Sequence, residues 1–93
     1  MPNAAKITML LYGDGLSPNE TQRLEHLDGP IVEALLEAGI NARAMWSGAT
    51  TGNGRLLRLD VAGHPRPIFE IDAAALPETS DADLLSSFRN TLR

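Results

Sequence analysis

The chain has no cysteine. That excludes disulfide bracing, a thiolate nucleophile and the cysteine-based zinc sites, and it fits an intracellular protein. Aromatic residues are scarce: Tyr12, Trp46, Phe69 and Phe88 are the whole set, so most of the core must be aliphatic. Long apolar runs are absent too. The segment after Lys6 is only six residues, Ile7 to Tyr12, too short for a signal-peptide core and far too short for a membrane span. A soluble, cytoplasmic protein with no membrane contact is the expectation.

Basic residues are outnumbered, with 8 Lys and Arg against 12 Asp and Glu. Residues 1–46 hold six acids and three bases, and residues 47–93 six acids and five arginines, which together give the net charge of −4. Direct nucleic-acid binding is disfavoured, because affinity for a phosphate backbone comes mainly from clustered Lys and Arg.

What remains is an ordinary globular composition: 93 residues, 43% apolar and 22% charged. Such a chain forms one domain over residues 1–93, burying about 60 to 65% of its unfolded-state surface around one modest core. No repeat, low-complexity tract or second-domain boundary interrupts it.

The residue pattern predicts an α+β two-layer domain in the order βαβββα, a mixed four-stranded sheet with its helices on one face. Lys6 to Tyr12 reads as a strand with Ile7, Met9 and Leu11 on one face and Thr8, Leu10 and Tyr12 on the other. Apolar residues on both faces point to a central or doubly covered strand. Gly13-Asp14-Gly15 ends it in a turn. Ser17-Pro18-Asn19-Glu20 then reads as a helix start, with a capping serine, a proline at the first position and Glu20 completing a capping box. An apolar stripe through Leu24, Leu27, Ile31 and Leu35 carries the helix to Gly39. Gly29-Pro30 breaks or kinks it, and Asp28 is a candidate cap for a second segment.

Ile40 to Trp46 reads as the second strand, parallel to the first across the helical crossover. Ser47 to Gly54 reads as a flexible connection longer than a two-residue hairpin. Arg55 to Val61 and Ile68 to Asp72 alternate as the last two strands around a Gly63-to-Pro67 reversal, with Leu57, Leu59, Phe69 and Ile71 inward and Arg58 opposite Glu70. A turn through Ala73 to Leu76 leads to a final helix capped by Ser80, its stripe Leu84, Leu85, Phe88 and Leu92. Asp81 and Asp83 near its start and Arg89 and Arg93 near its end suit the helix dipole.

No motif carries chemistry. Gly13-Asp14-Gly15 lacks the lysine and hydroxyl of a P-loop and the third glycine of a dinucleotide fingerprint. His26 and His64 show no metal-ligand spacing, and no nucleophile elbow accompanies the serines. Glu33 and Glu37 share a helical face without any sign of a cleft. No catalytic residue, cofactor or metal is therefore assigned. If an enzyme or ligand-binding oligomer were built on this chain, Asp14, His26 and His64 would be its candidates.

The stronger expectation is a small protein-binding or regulatory protein, acting through a protein partner or as a homo-oligomer. Leu10, Tyr12, Met45, Leu56 and Ile68 are read as a partly apolar second face of the sheet that a partner would cover. The candidate contact residues are Arg43, Met45, Trp46, Thr50, Thr51, Asn53, Arg55, Leu56, Arg58 and Ile68, with Trp46 open to a core role instead. An alternative form is an acidic inhibitor of a nucleic-acid-binding site, presenting Glu20, Glu25, Asp28, Glu33 and Glu37.

Overall fold

The computed structural model describes residues 8–92. Their elements run β1 (Met9–Tyr12), α1 (Pro18–His26), α2 (Asp28–Glu37), β2 (Arg43–Thr51), β3 (Gly54–Val61), β4 (Phe69–Asp72) and α3 (Asp81–Thr91). The four strands form one mixed sheet in the order β1-β2-β3-β4, with β1 parallel to β2 and the other pairs antiparallel. This is the expected two-layer α+β arrangement, its first helix divided in two. Lys6 and Ile7, the expected strand start, and Arg93 lie outside the described residues.

The division falls at Leu27, whose amide bonds back to the Leu24 carbonyl. Pro30 then stands in the first turn of α2, where a missing amide costs nothing. Asp28 does not cap that helix as expected: Leu27 holds the cap position without a side-chain bond, while the Asp28 carboxylate accepts from Tyr12 Oη at 2.7 Å. At the other end Gly39 has a φ of +82°, and the amides of Gly39 and Ile40 bond to the carbonyls of Leu36 and Leu35. This Schellman closure holds Ile40 in the cap, so β2 begins at Arg43 rather than at Ile40.

The largest departure concerns Ser47 to Gly54. Instead of a flexible loop, β2 continues to Thr51 and pairs residue by residue with β3, closing through the two-residue turn Gly52-Asn53. Thr51 Oγ1 organises that turn, accepting the Asn53 amide and donating to the Gly54 carbonyl. Gly48 belongs to the strand because another backbone needs the space. A Cβ there would lie 2.2 Å from the Gly15 carbonyl oxygen, and one on Gly15 would lie 2.3 Å from that of Gly48. The Gly13-to-Gly15 turn thus docks against β2, with Gly13 N–H donating to Trp46 O and Gly48 N–H to Asp14 O.

One face of the sheet is the core. Leu10, Ala44, Trp46, Leu57, Leu59, Val61 and Phe69 point to it and meet Leu24, Leu27, Ile31 and Leu35 of the first helical pair and Leu84 and Phe88 of α3. Trp46, Phe69 and Phe88 stack edge to face, with centroids 6.1 and 5.3 Å apart. Each such pair is worth about 0.5–1.5 kcal/mol beyond burial, a large share for a core with so few rings. Because Tyr12 and Leu10 stand in register with Trp46 and Ala44, they belong to this covered face and not, as expected, to the open one. Among the described residues β1 is accordingly an edge strand, neither central nor doubly covered.

Candidate functional site

Among the described residues the opposite face carries no helix, and its residues follow from the same alternation. Met9 and Leu11 project from β1, Arg43, Met45, Ser47 and Ala49 from β2, Leu56, Arg58 and Asp60 from β3, and Glu70 and Asp72 from β4. Among the described residues the exposed large hydrophobic side chains are Met9 (49%), Leu11 (38%) and Met45 (43%), and all three sit here. Leu11 and Met45 are direct register partners. They form one strip at the β1–β2 end of the face. A shallow depression of about 400 Å³ beside it is lined by Leu11, Met45, Arg43, Asp60 and His64.

The β3–β4 end differs in kind. Arg58 stands opposite Glu70, as expected, with Nε 3.2 Å from Glu70 Oε2. Among the described residues that buried Nε makes no well-aligned hydrogen bond, so the contact is chiefly ionic. Leu56 is half-buried beside it.

The candidate contact residues are therefore dispersed. Arg43, Met45, Leu56 and Arg58 are on the open face, while Thr50 and Asn53 are exposed at the hairpin tip and Thr51 spends its hydroxyl on the turn. Trp46 is 1% exposed and takes the core role, with Nε1 buried and unpartnered among the described residues. Ile68 packs against the core instead of joining Leu56 outside. Arg55 turns toward α1, where it clasps Glu20 through two nitrogens, Nη1 to Oε2 at 2.8 Å and Nη2 to Oε1 at 2.7 Å, and also donates to the Gly15 carbonyl.

Glu20 thus serves twice, because its Oε1 also accepts the Ser17 amide at 2.8 Å in the expected capping box. The hydrogen bonds from Arg55 hold the Glu20 carboxyl down to about 2, against burial and with help from Ser17. The same pairing raises Arg55. Tyr12 moves the other way: burial first, then the hydrogen bond to Asp28 and the charges of Asp28 and Glu25, push its phenol well above the usual range. The Glu20–Arg55 and Tyr12–Asp28 contacts behind these shifts each join a strand to a helix, which is a structural role.

The remaining acidic residues do not gather. Glu37 pairs with Arg89 of α3, Asp28 holds Tyr12, and Glu25 and Glu33 are exposed. Arg23 is likewise consumed, donating to Asp81 Oδ1 at 2.9 Å and to the carbonyls of Leu76 and Thr79. It lines, with Glu20, Ser17 and Leu76, a cleft of about 300 Å³ whose charged groups already have partners. His26 lies 3.8 Å from Asp81 and borders a different depression from the one His64 borders. Among the described residues no three His, Cys, Asp or Glu side chains are grouped to hold a metal, and no helix is long and apolar enough to cross a membrane.

Met9 and Leu11 are the site residues that sequence reasoning missed. The signal was present as the Met9-Leu11 half of an alternating strand, but both halves are apolar, and only the register with Ala44 and Trp46 decides which half is buried. Comparison with protein-family models, with curated proteins and with solved structures finds no match.

Proposed function

We propose that this protein is a small non-enzymatic binding module that acts through a macromolecular partner seated on the open face of its sheet. The observation that carries the reading is the strip of Met9, Leu11 and Met45, three large apolar side chains left in water side by side on adjacent strands. Scattered exposed apolar residues are ordinary on any surface, whereas a contiguous group rimmed by charge is the usual mark of a contact surface. Arg43 and Asp60 supply such a rim. The acidic-inhibitor alternative draws less support, since Glu20, Asp28 and Glu37 are engaged within the chain.

The test is affinity capture from native lysate with the wild-type chain and Met45→Glu in parallel, followed by mass measurement of the recovered complex. The reading expects one stoichiometric partner, whether a second copy or another macromolecule, that Met45→Glu loses while keeping its circular dichroism spectrum. A wild-type chain that is monomeric and partnerless, or a partner held equally by the variant, would sink it.

A further inference from the structure

We infer that the outer edge of β1 pairs antiparallel with β1 of a second copy of this chain, about a two-fold axis at Leu11. This goes beyond the binding-module reading, because a copy paired at the edge extends the sheet and leaves its open face free for a partner, and it can fail while that reading stands. Gly13 N–H donates to Trp46 O, so by strand alternation the Met9 and Leu11 main-chain groups also turn toward β2. The N–H and C=O groups of Leu10 and Tyr12 therefore point away from the sheet. Those two residues are spaced to exchange hydrogen bonds with Tyr12 and Leu10 of a copy, four in all. Leu11 then faces its own counterpart as the close, non-hydrogen-bonded pair.

Charge permits a copy at this edge and opposes one at the other. A two-fold pairing places each side chain near its own duplicate, so an edge strand that carries charge repels itself. β1, Met-Leu-Leu-Tyr, carries none. β4 is the other edge and carries Glu70 and Asp72, with Pro65 and Pro67 just before it, the usual devices by which a sheet edge is guarded. Pairing at β1 also brings Leu11 against Leu11 of the copy, so that each Leu11 with its register partner Met45 makes the apolar strip continuous across the axis. A seam of four residues per strand is small, which places the association in the weak, transient class.

The test uses the full chain. Sedimentation equilibrium over a rising concentration series is expected to show the mass moving from 10.0 kDa toward twice that value. Leu11→Lys, on an exposed outward position, is expected to stay monomeric with an unchanged circular dichroism spectrum. Since the chain has no cysteine, Leu11→Cys gives a clean second reading: mild oxidation should join two copies, while Glu70→Cys on the guarded edge should not cross-link. A wild-type chain that stays monomeric throughout, a dimer indifferent to Leu11→Lys, or cross-linking at Glu70→Cys in place of Leu11→Cys would each overturn the self-pairing. A monomer that still loses a different partner through Met45→Glu would overturn it and leave the binding module intact.

Discussion

The strands β1 and β4 are both four residues long and both border the sheet, yet their outward residues have opposite chemistry. β4 presents Glu70 and Asp72 and spends Glu70 on Arg58; β1 presents Met9 and Leu11, which nothing among the described helices covers. On the inner face the two strands are alike, since Leu10 and Phe69 are each nearly buried, at 8% and 7%. The fold needs their inner halves equally. Only the outer halves differ, so the difference bears on what the molecule meets in solution more than on how it folds.

That separation of folding from contact can be broken by mutation, and the largest effect is expected inside. Phe69→Ala removes the ring that bridges Trp46 and Phe88 and should cost about 3–5 kcal/mol in denaturant unfolding. Leu11→Ala, on the outer half of β1, should change stability by no more than about 0.5 kcal/mol. Equal losses would mean that the outer face is also packed.

Next in size is the contact that seats the β1 end of the sheet. Gly48→Ala puts a methyl into the Gly15 backbone and should cost about 1–3 kcal/mol, whereas Gly52→Ala, with no atom within 4 Å, should stay within about 0.5 kcal/mol. Thermal melts of the two variants side by side check this. A harmless Gly48→Ala would show that the turn after β1 is not docked.

Acid titration probes the link between sheet and α1. Glu20 titrates at about 2 in the folded chain against an ordinary 4.5, so its contribution is complete above about pH 4.5 and is lost as pH falls from there toward 2. Glu20→Gln should be less stable at neutral pH and should show a shallower loss across that acid window. An unchanged acid profile would detach Glu20 from Arg55. The smallest effect is expected at the guarded edge, where a double-mutant cycle on Arg58 and Glu70 should give a coupling of about 0.2–1 kcal/mol, because both side chains are partly in water.

Local chemistry was legible in the sequence wherever one segment decides its own structure. The Ser17 capping box, the Ser80 cap, the Gly39 helix end and the alternation of β3 and β4 all follow from neighbours a few residues away. What could not be read is what distant segments impose. Gly48 looked like loop because its reason, the backbone of Gly15, lies 33 positions earlier. Leu10 and Tyr12 read as the open half of β1, and only register with Ala44 and Trp46 shows that Met9 and Leu11 are the open half instead. Asp28 resembled a helix cap because the Tyr12 hydroxyl that claims it comes from another element. The candidate site suffered most from this, since an open face is defined by the helices that fail to cover it.

The contrast between the two edges is tested most directly by two-dimensional amide NMR of the wild-type chain over a concentration series. Self-pairing at β1 should give concentration-dependent shifts at Leu10, Leu11 and Tyr12 and at the neighbouring Met45, with Phe69, Glu70 and Ile71 of β4 unmoved. Shifts centred on β4, or spectra that stay constant throughout the series, would contradict it.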